Sequence, residues 1–214
     1  MTSETNGVDT DLRVGIDVLL GYVAESTQKL LRDTIVLTDE QWQQPCGIRY
    51  WTRAHLGAHL SRSADALVEV LTHLESPNDF IWERFCLPVS ERAYQIERGS
   101  ERSAVDLQID LDTSSGRLLQ ALNVLTRIDP NTKVRTSQDK TLPAWMIAAL
   151  RLRELTVHHF HMDCGFTVDD VNPEISPILL DWFFINLGLE RPSDEFLASF
   201  NHTVIPDVNV IMCL

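Results

Sequence analysis

The stretch from Pro143 to Met162, "PAWMIAALRLRELTVHHFHM", constrains the fold more than any other part of the chain. At about 100° per residue, Trp145, Ala148, Ala149, Leu152 and Leu155 fall on one side of a helix. Ile147, Leu150 and Val157 fall on the other, and among them stand Glu154, His158 and His161. Arg151 and Arg153 lie near the two seams. A helix that is apolar on both sides belongs in the interior of a bundle. A carboxylate in the middle of such a helix is costly unless it is paired or ligated. Glu154 therefore needs a partner: an arginine, a protonated histidine or a metal ion.

Other segments supply the rest of a helical bundle. Leu12, Ile16, Leu19, Leu20, Val23, Leu30 and Leu31 recur at helical spacing and predict a helix from about Asp11 to Arg32. A loop with turn residues Pro45 and Gly47 follows. Thr52 is placed to cap a helix reaching about Leu74 on the stripe Leu56, Leu60, Leu67, Leu71, Leu74. Pro88–Arg98 predicts a short helix and Ser103–Thr126 a longer one. "IDPNTKVRTSQDKTLP" reads as a turn-rich connection with a brief strand near Lys133–Thr136. Pro143 suits the first position of the helix that ends near Met162, and Gly165 suits its stop. A very apolar fifth helix is expected near Ser176–Leu187, followed by short strands or an ordered tail. The fold class is all-α: a four-helix bundle with an additional C-terminal helix and short tail. Residues 1–10 form a polar leader, 11–166 the bundle, and 167–214 the C-terminal helix and tail.

Composition narrows the function classes. A net charge of −13 argues against a nucleic-acid backbone and against an anionic membrane surface as partner. No apolar run approaches the roughly 20 residues of a membrane span, and the start "MTSETNGVDTDLR" has no secretory pattern. A cytoplasmic location follows as the expectation. Cys46, Cys86, Cys164 and Cys213 lack CxxC spacing, so they are expected to be reduced and not to form a zinc site.

The helix "RAHLGAHLSRSADALVEVL" carries His55 and His59 four residues apart. Such a pair also arises without any ligand and is weak alone. His59, at the edge of the leucine stripe, is placed to point into a cleft at one end of the bundle. With Glu154 and His158 it gives two imidazoles and one carboxylate. That set suits a catalytic zinc with an open position, and also non-haem iron or nickel.

Two segments, W-T-x-x-H-L-x-x-H-L-x-R-x-A-D-A-L at Trp51–Leu67 and R-x-R-E-x-x-V-H at Arg151–His158, resemble the mycothiol-dependent maleylpyruvate isomerase N-terminal family of the DinB/YfiT-like superfamily. "SERAYQIERGS" at Ser90–Ser100 resembles a third family segment, and the resemblance covers about Asp11 to Phe166. It implies a DinB-like bundle whose divalent metal ligands are His59, Glu154 and His158, with His55 and His161 as extra or supporting groups. Zinc is the implied metal and mycothiol, or a similar low-molecular-weight thiol, the implied cofactor. The thiolate would add to a small electrophilic substrate, in an isomerase or an S-transferase. Arg53, Arg92 and Arg98 are the possible contacts for a substrate carboxylate. In two respects the chain departs from the family. His161 stands where the family commonly has Asp, and residues 167–214 leave a reduced or absent C-terminal domain in place of the one that helps the isomerases bind substrate.

A competing reading is a non-enzymatic, metal-stabilised scaffold that binds a partner, or a second copy in a homodimer, through Ile178–Leu187. A hydrolase acting through metal-bound water is a third.

Overall fold

A computed structural model describes residues 15–74, 88–129, 132–135 and 141–179. The elements are α1 (Ile16–Thr34), a short α2 (Asp39–Trp42), α3 (Arg53–His73), α4 (Val89–Ser100), α5 (Ala104–Leu122), β1 (Lys133–Arg135), β2 (Thr141–Pro143) and α6 (Met146–Met162). The expected all-α four-helix bundle is what forms. Its members are α1, α3, α5 and α6. Each of α1 and α3 packs against both α5 and α6, so α1 and α3 stand diagonally across the bundle, and α4 lies along α3.

The core is made of the predicted stripes. Leu56, Leu60, Leu67 and Leu71 of α3 meet Leu107, Leu111, Leu118 and Leu122 of α5, with Leu19, Val23 and Leu30 of α1 and Ile147, Ala148, Leu152 and Leu155 of α6. Each large apolar side chain removed from water contributes about 1.5–3 kcal/mol. Two close approaches fix how helices lie beside α3. A β-carbon on Gly57 would meet the buried Trp42 ring at 2.8 Å, and one on Gly99 would meet the Ala58 methyl at 2.6 Å. The missing methyl groups seat α2 and α4 against the stretch of α3 that carries His59.

Several boundaries differ from the sequence reading. Helix α1 continues to Thr34, and the buried hydroxyls of Thr27 and Thr34 bond back to carbonyls one turn earlier. The expected helix over Ser103–Thr126 divides into α5, capped by Ser103, and a 3-10 turn at Asn123–Thr126. Pro143 does not start α6; it ends β2, which pairs antiparallel with β1, Lys133 opposite Pro143. The hairpin occupies the residues that would have made the first helical turn, so α6 begins at Met146. The helix does end at Met162, where Asp163 takes the left-handed conformation (φ 50°); Gly165 follows with φ 103°. The apolar helix predicted near Ser176–Leu187 falls mostly outside the described residues, as do the tail and the leader.

Candidate metal centre

Thr52 opens α3 with a capping box. Its hydroxyl accepts the His55 backbone N–H, and the Thr52 backbone N–H donates to His55 Nδ1 at 3.2 Å. With Nδ1 accepting, the ring proton sits on Nε2. That nitrogen faces Glu97 at 3.2 Å and Ser100 Oγ at 3.3 Å on α4. His55 thus caps its own helix and tethers α4.

His59, one turn further on, looks elsewhere. Its Nε2 lies 3.3 Å from Glu154 Oε1, and its ring meets the His158 ring edge-on at 5.0 Å between centroids. One donor atom each from His59, Glu154 and His158 lie within 4.8 Å of one another. Two donors held at about 2.0–2.1 Å from one tetrahedral ion stand about 3.3 Å apart, so the His59–Glu154 separation already suits a shared cation. The donor set, two imidazoles and one carboxylate, has the chemistry of a divalent ion such as zinc.

The Trp51 ring stands 5.5 Å from the His59 ring and 6.4 Å from that of His55, forming a wall beside the cluster. His161 stays outside the three-residue cluster. Its Nδ1 is 3.2 Å from His158 Nδ1. A hydrogen bond on one ring nitrogen decides which one faces a metal, and Nε2 of His158 is the nitrogen without that partner.

Glu154 is half-buried and not alone. Arg151, 0% exposed, donates from one terminal nitrogen to Glu154 Oε2 at 2.8 Å. Burial by itself would raise the Glu154 carboxyl. The hydrogen bond from His59 and the charges of Arg151, His59 and His158 outweigh it and hold the group well below the usual carboxylate range. Burial, reinforced by the neighbouring His59, pushes His158 down to about 3, so this ring is neutral and ready to ligate at neutral pH.

Two of the three arginines expected near a substrate have other partners. Arg53 spends its guanidinium on the carbonyls of Gln41, Met162 and Asp163 at 2.7–3.0 Å. Arg98 makes an exposed pair with Glu101. Arg92 is half-buried on α4. Asp65 bridges Arg62 and Arg117. The role of Arg151 escapes the sequence reading, which places it at a seam. Its i, i+3 spacing to Glu154 on a helix with no polar side is the signal that points to it.

Burial raises the thiols of Cys46 and Cys164, the latter to about 11, so neither is a ready thiolate. Cys86 and Cys213 lie outside the described residues.

Residues 23–162 match the family model described as the mycothiol maleylpyruvate isomerase N-terminal domain. No curated protein matches the chain. Among solved structures, a mycothiol-dependent maleylpyruvate isomerase superposes with a TM-score of 0.69 at 20% identity, over 83% of this chain and 74% of that one. A variant of such an isomerase, with one histidine replaced by alanine, gives the same TM-score and identity over 81% of this chain and 70% of that one. At that identity the likeness speaks for the shared bundle, while the family match spans both segments that carry His59, Glu154 and His158. The chain is a member of the mycothiol maleylpyruvate isomerase N-terminal domain family.

Proposed function

We propose that the protein is a metal-dependent, thiol-cofactor enzyme, an isomerase or S-transferase, acting on a small electrophile at the His59–Glu154–His158 centre. The observation that carries this reading is the convergence of the three donors. A divalent ion held there, zinc by its donor set, supplies a charge that lowers the pKa of a thiol. Mycothiol, or a thiol of its kind, is the cofactor that family membership suggests.

The chain's own residues supply the frame. His59 from α3 and Glu154 and His158 from α6 provide the donors, Arg151 and His161 hold two of them in place, and Trp51 walls one side. Among the described residues the half-buried Cys46 and Cys164 are disfavoured as thiolates, which supports a nucleophilic sulfur supplied by an outside thiol. In an isomerase it would add to one carbon of a cis double bond, leave a single bond free to rotate, and depart. In a transferase the new carbon–sulfur bond would remain in the product. Residues 11–166 act as the metal-binding bundle in this reading.

Among the described residues no helix is long and apolar enough to cross a membrane. The test has two parts. Elemental analysis of purified full chain should find one divalent ion per protein, lost in His59→Ala and Glu154→Gln. The metal-loaded protein should then consume thiol, or turn over a cis electrophile, only when a low-molecular-weight thiol is present. Metal retained at full stoichiometry in both variants overturns the ligand assignment. Metal binding with no thiol-dependent turnover and no thiol binding overturns the enzymatic reading in favour of a scaffold.

A further inference from the structure

Arg151 has no exposure to solvent. A guanidinium in that position is tolerated only when its donors are satisfied. One terminal nitrogen donates both to Glu154 Oε2 at 2.8 Å and to the Leu60 carbonyl at 3.1 Å; the other reaches Ser115 Oγ at 3.4 Å. Leu60 is the residue after His59. One cation therefore ties the carboxylate of α6 to the backbone of α3 next to the other ligand, and to α5 as well.

We propose that Arg151 is the positioning residue of the metal centre and that it makes Glu154 a one-oxygen ligand. The proposal rests on the His59–Glu154–His158 metal reading and deepens it. Oε2 is already committed to Arg151, whereas Oε1 faces His59 Nε2. A carboxylate free of such a partner can offer both oxygens to an ion. With two imidazoles that would fill four positions and close the centre. Restricting Glu154 to one oxygen keeps the protein's contribution at three donors and leaves room for an outside ligand. The positive charge on Arg151 also offsets that of the carboxylate, so the loaded centre stays more positive than its ligand set alone would make it. An anionic ligand, such as a thiolate, is favoured over neutral water for the remaining position.

Cobalt(II) loading of the full chain tests this. Wild type should take up one ion and show the intense visible bands of low-coordinate cobalt. Arg151→Met should still take up the ion but lose most of that intensity, because both oxygens of Glu154 become available and the coordination number rises. Arg151→Lys, which keeps the charge without the planar fork, should restore the bands only in part. A crystal structure of the metal-loaded wild type gives the same answer should Arg151→Met not fold: one oxygen of Glu154 on the ion and the other on Arg151. Two-oxygen ligation in wild type, or unchanged bands in Arg151→Met, overturns the role of Arg151 and leaves the metal reading standing. No cobalt uptake by wild type overturns the metal reading and this inference together.

Discussion

His158 and His159 are neighbours in the chain, both buried on α6 and about 100° apart around it. His158 looks toward α3, where its ring meets His59 and belongs to a cluster of converging donors. His159 looks toward α1. Its Nε2 lies 3.0 Å from Asp33 and its ring stacks on Phe166, centroids 3.9 Å apart and planes 9° from parallel. Burial depresses both rings, His158 to about 3 and His159 to about 4, although Asp33 pulls His159 the other way. Burial and a shifted titration thus do not separate a ligand from a structural histidine. What separates them is how many other donors aim at the same point. His159 is closed off by one carboxylate and one aromatic face. His158 shares its side of the helix with a carboxylate and an imidazole from another helix.

Replacing each histidine in turn should break the symmetry of the pair. The largest expected effect is loss of bound metal in His158→Ala, against full stoichiometry in His159→Ala, read by elemental analysis of dialysed protein.

Acid should act on both. Each folded-state pKa lies below the ordinary histidine value of 6.5, so the unfolded chain binds more protons than the folded one below that pH. Metal-free protein should keep its stability above about pH 6.5 and lose up to about 1.4 kcal/mol per pH unit for each histidine as the pH falls toward 4. Glu154, with its folded pKa depressed, adds to the loss below about pH 4.5. Denaturant midpoints measured across this range check the slope. His159→Ala should reduce it by its share, and a flat profile in wild type contradicts the assignment of neutral buried rings.

Smaller again is the cost of the α1 side at neutral pH. His159→Ala removes a buried ring from its stack and should destabilise the fold by about 2–3 kcal/mol by denaturant titration. His161→Ala should weaken the metal by about 10–100-fold, measured by competition with a chelator, while leaving the melting temperature of the metal-free protein nearly unchanged. The smallest change is expected at the rim. Arg98→Ala, at an exposed pair, should alter stability by no more than about 0.5 kcal/mol and leave metal uptake alone.

Much of this was legible in residue spacing. The leucine stripes of α3 and α5 located the core, Thr52 marked the start of α3, and the polar residues inside an otherwise apolar α6 marked the side of that helix worth inspecting. The joint position of His59, Glu154 and His158 was accessible because all three lie on regular helices, where spacing translates into direction. Contacts made by long side chains across helices were not. Whether Arg151 turned inward or outward depended on Leu60 and Ser115, which no local pattern connects to it. The strand expected near Lys133–Thr136 is β1, but its partner β2 escaped for the opposite reason: a three-residue strand carries too little periodicity to outweigh a proline that also suits a helix start. His159 was hidden because its partners, Asp33 and Phe166, come from a distant helix and from a loop.

The grip of Arg53 on the carbonyls of Met162 and Asp163 fastens the first residue of α3 to the last turn of α6. His59 lies fewer than two turns from that fastening on one helix, and His158 about one turn from it on the other. Any breathing motion that drew the two ligand-bearing helices apart at this end would first have to unclasp charge-assisted bonds to two carbonyls. Exchange of an ion with solvent would therefore proceed by swinging side chains within a held frame, and its rate would report on rotamer motion and not on parting of the bundle.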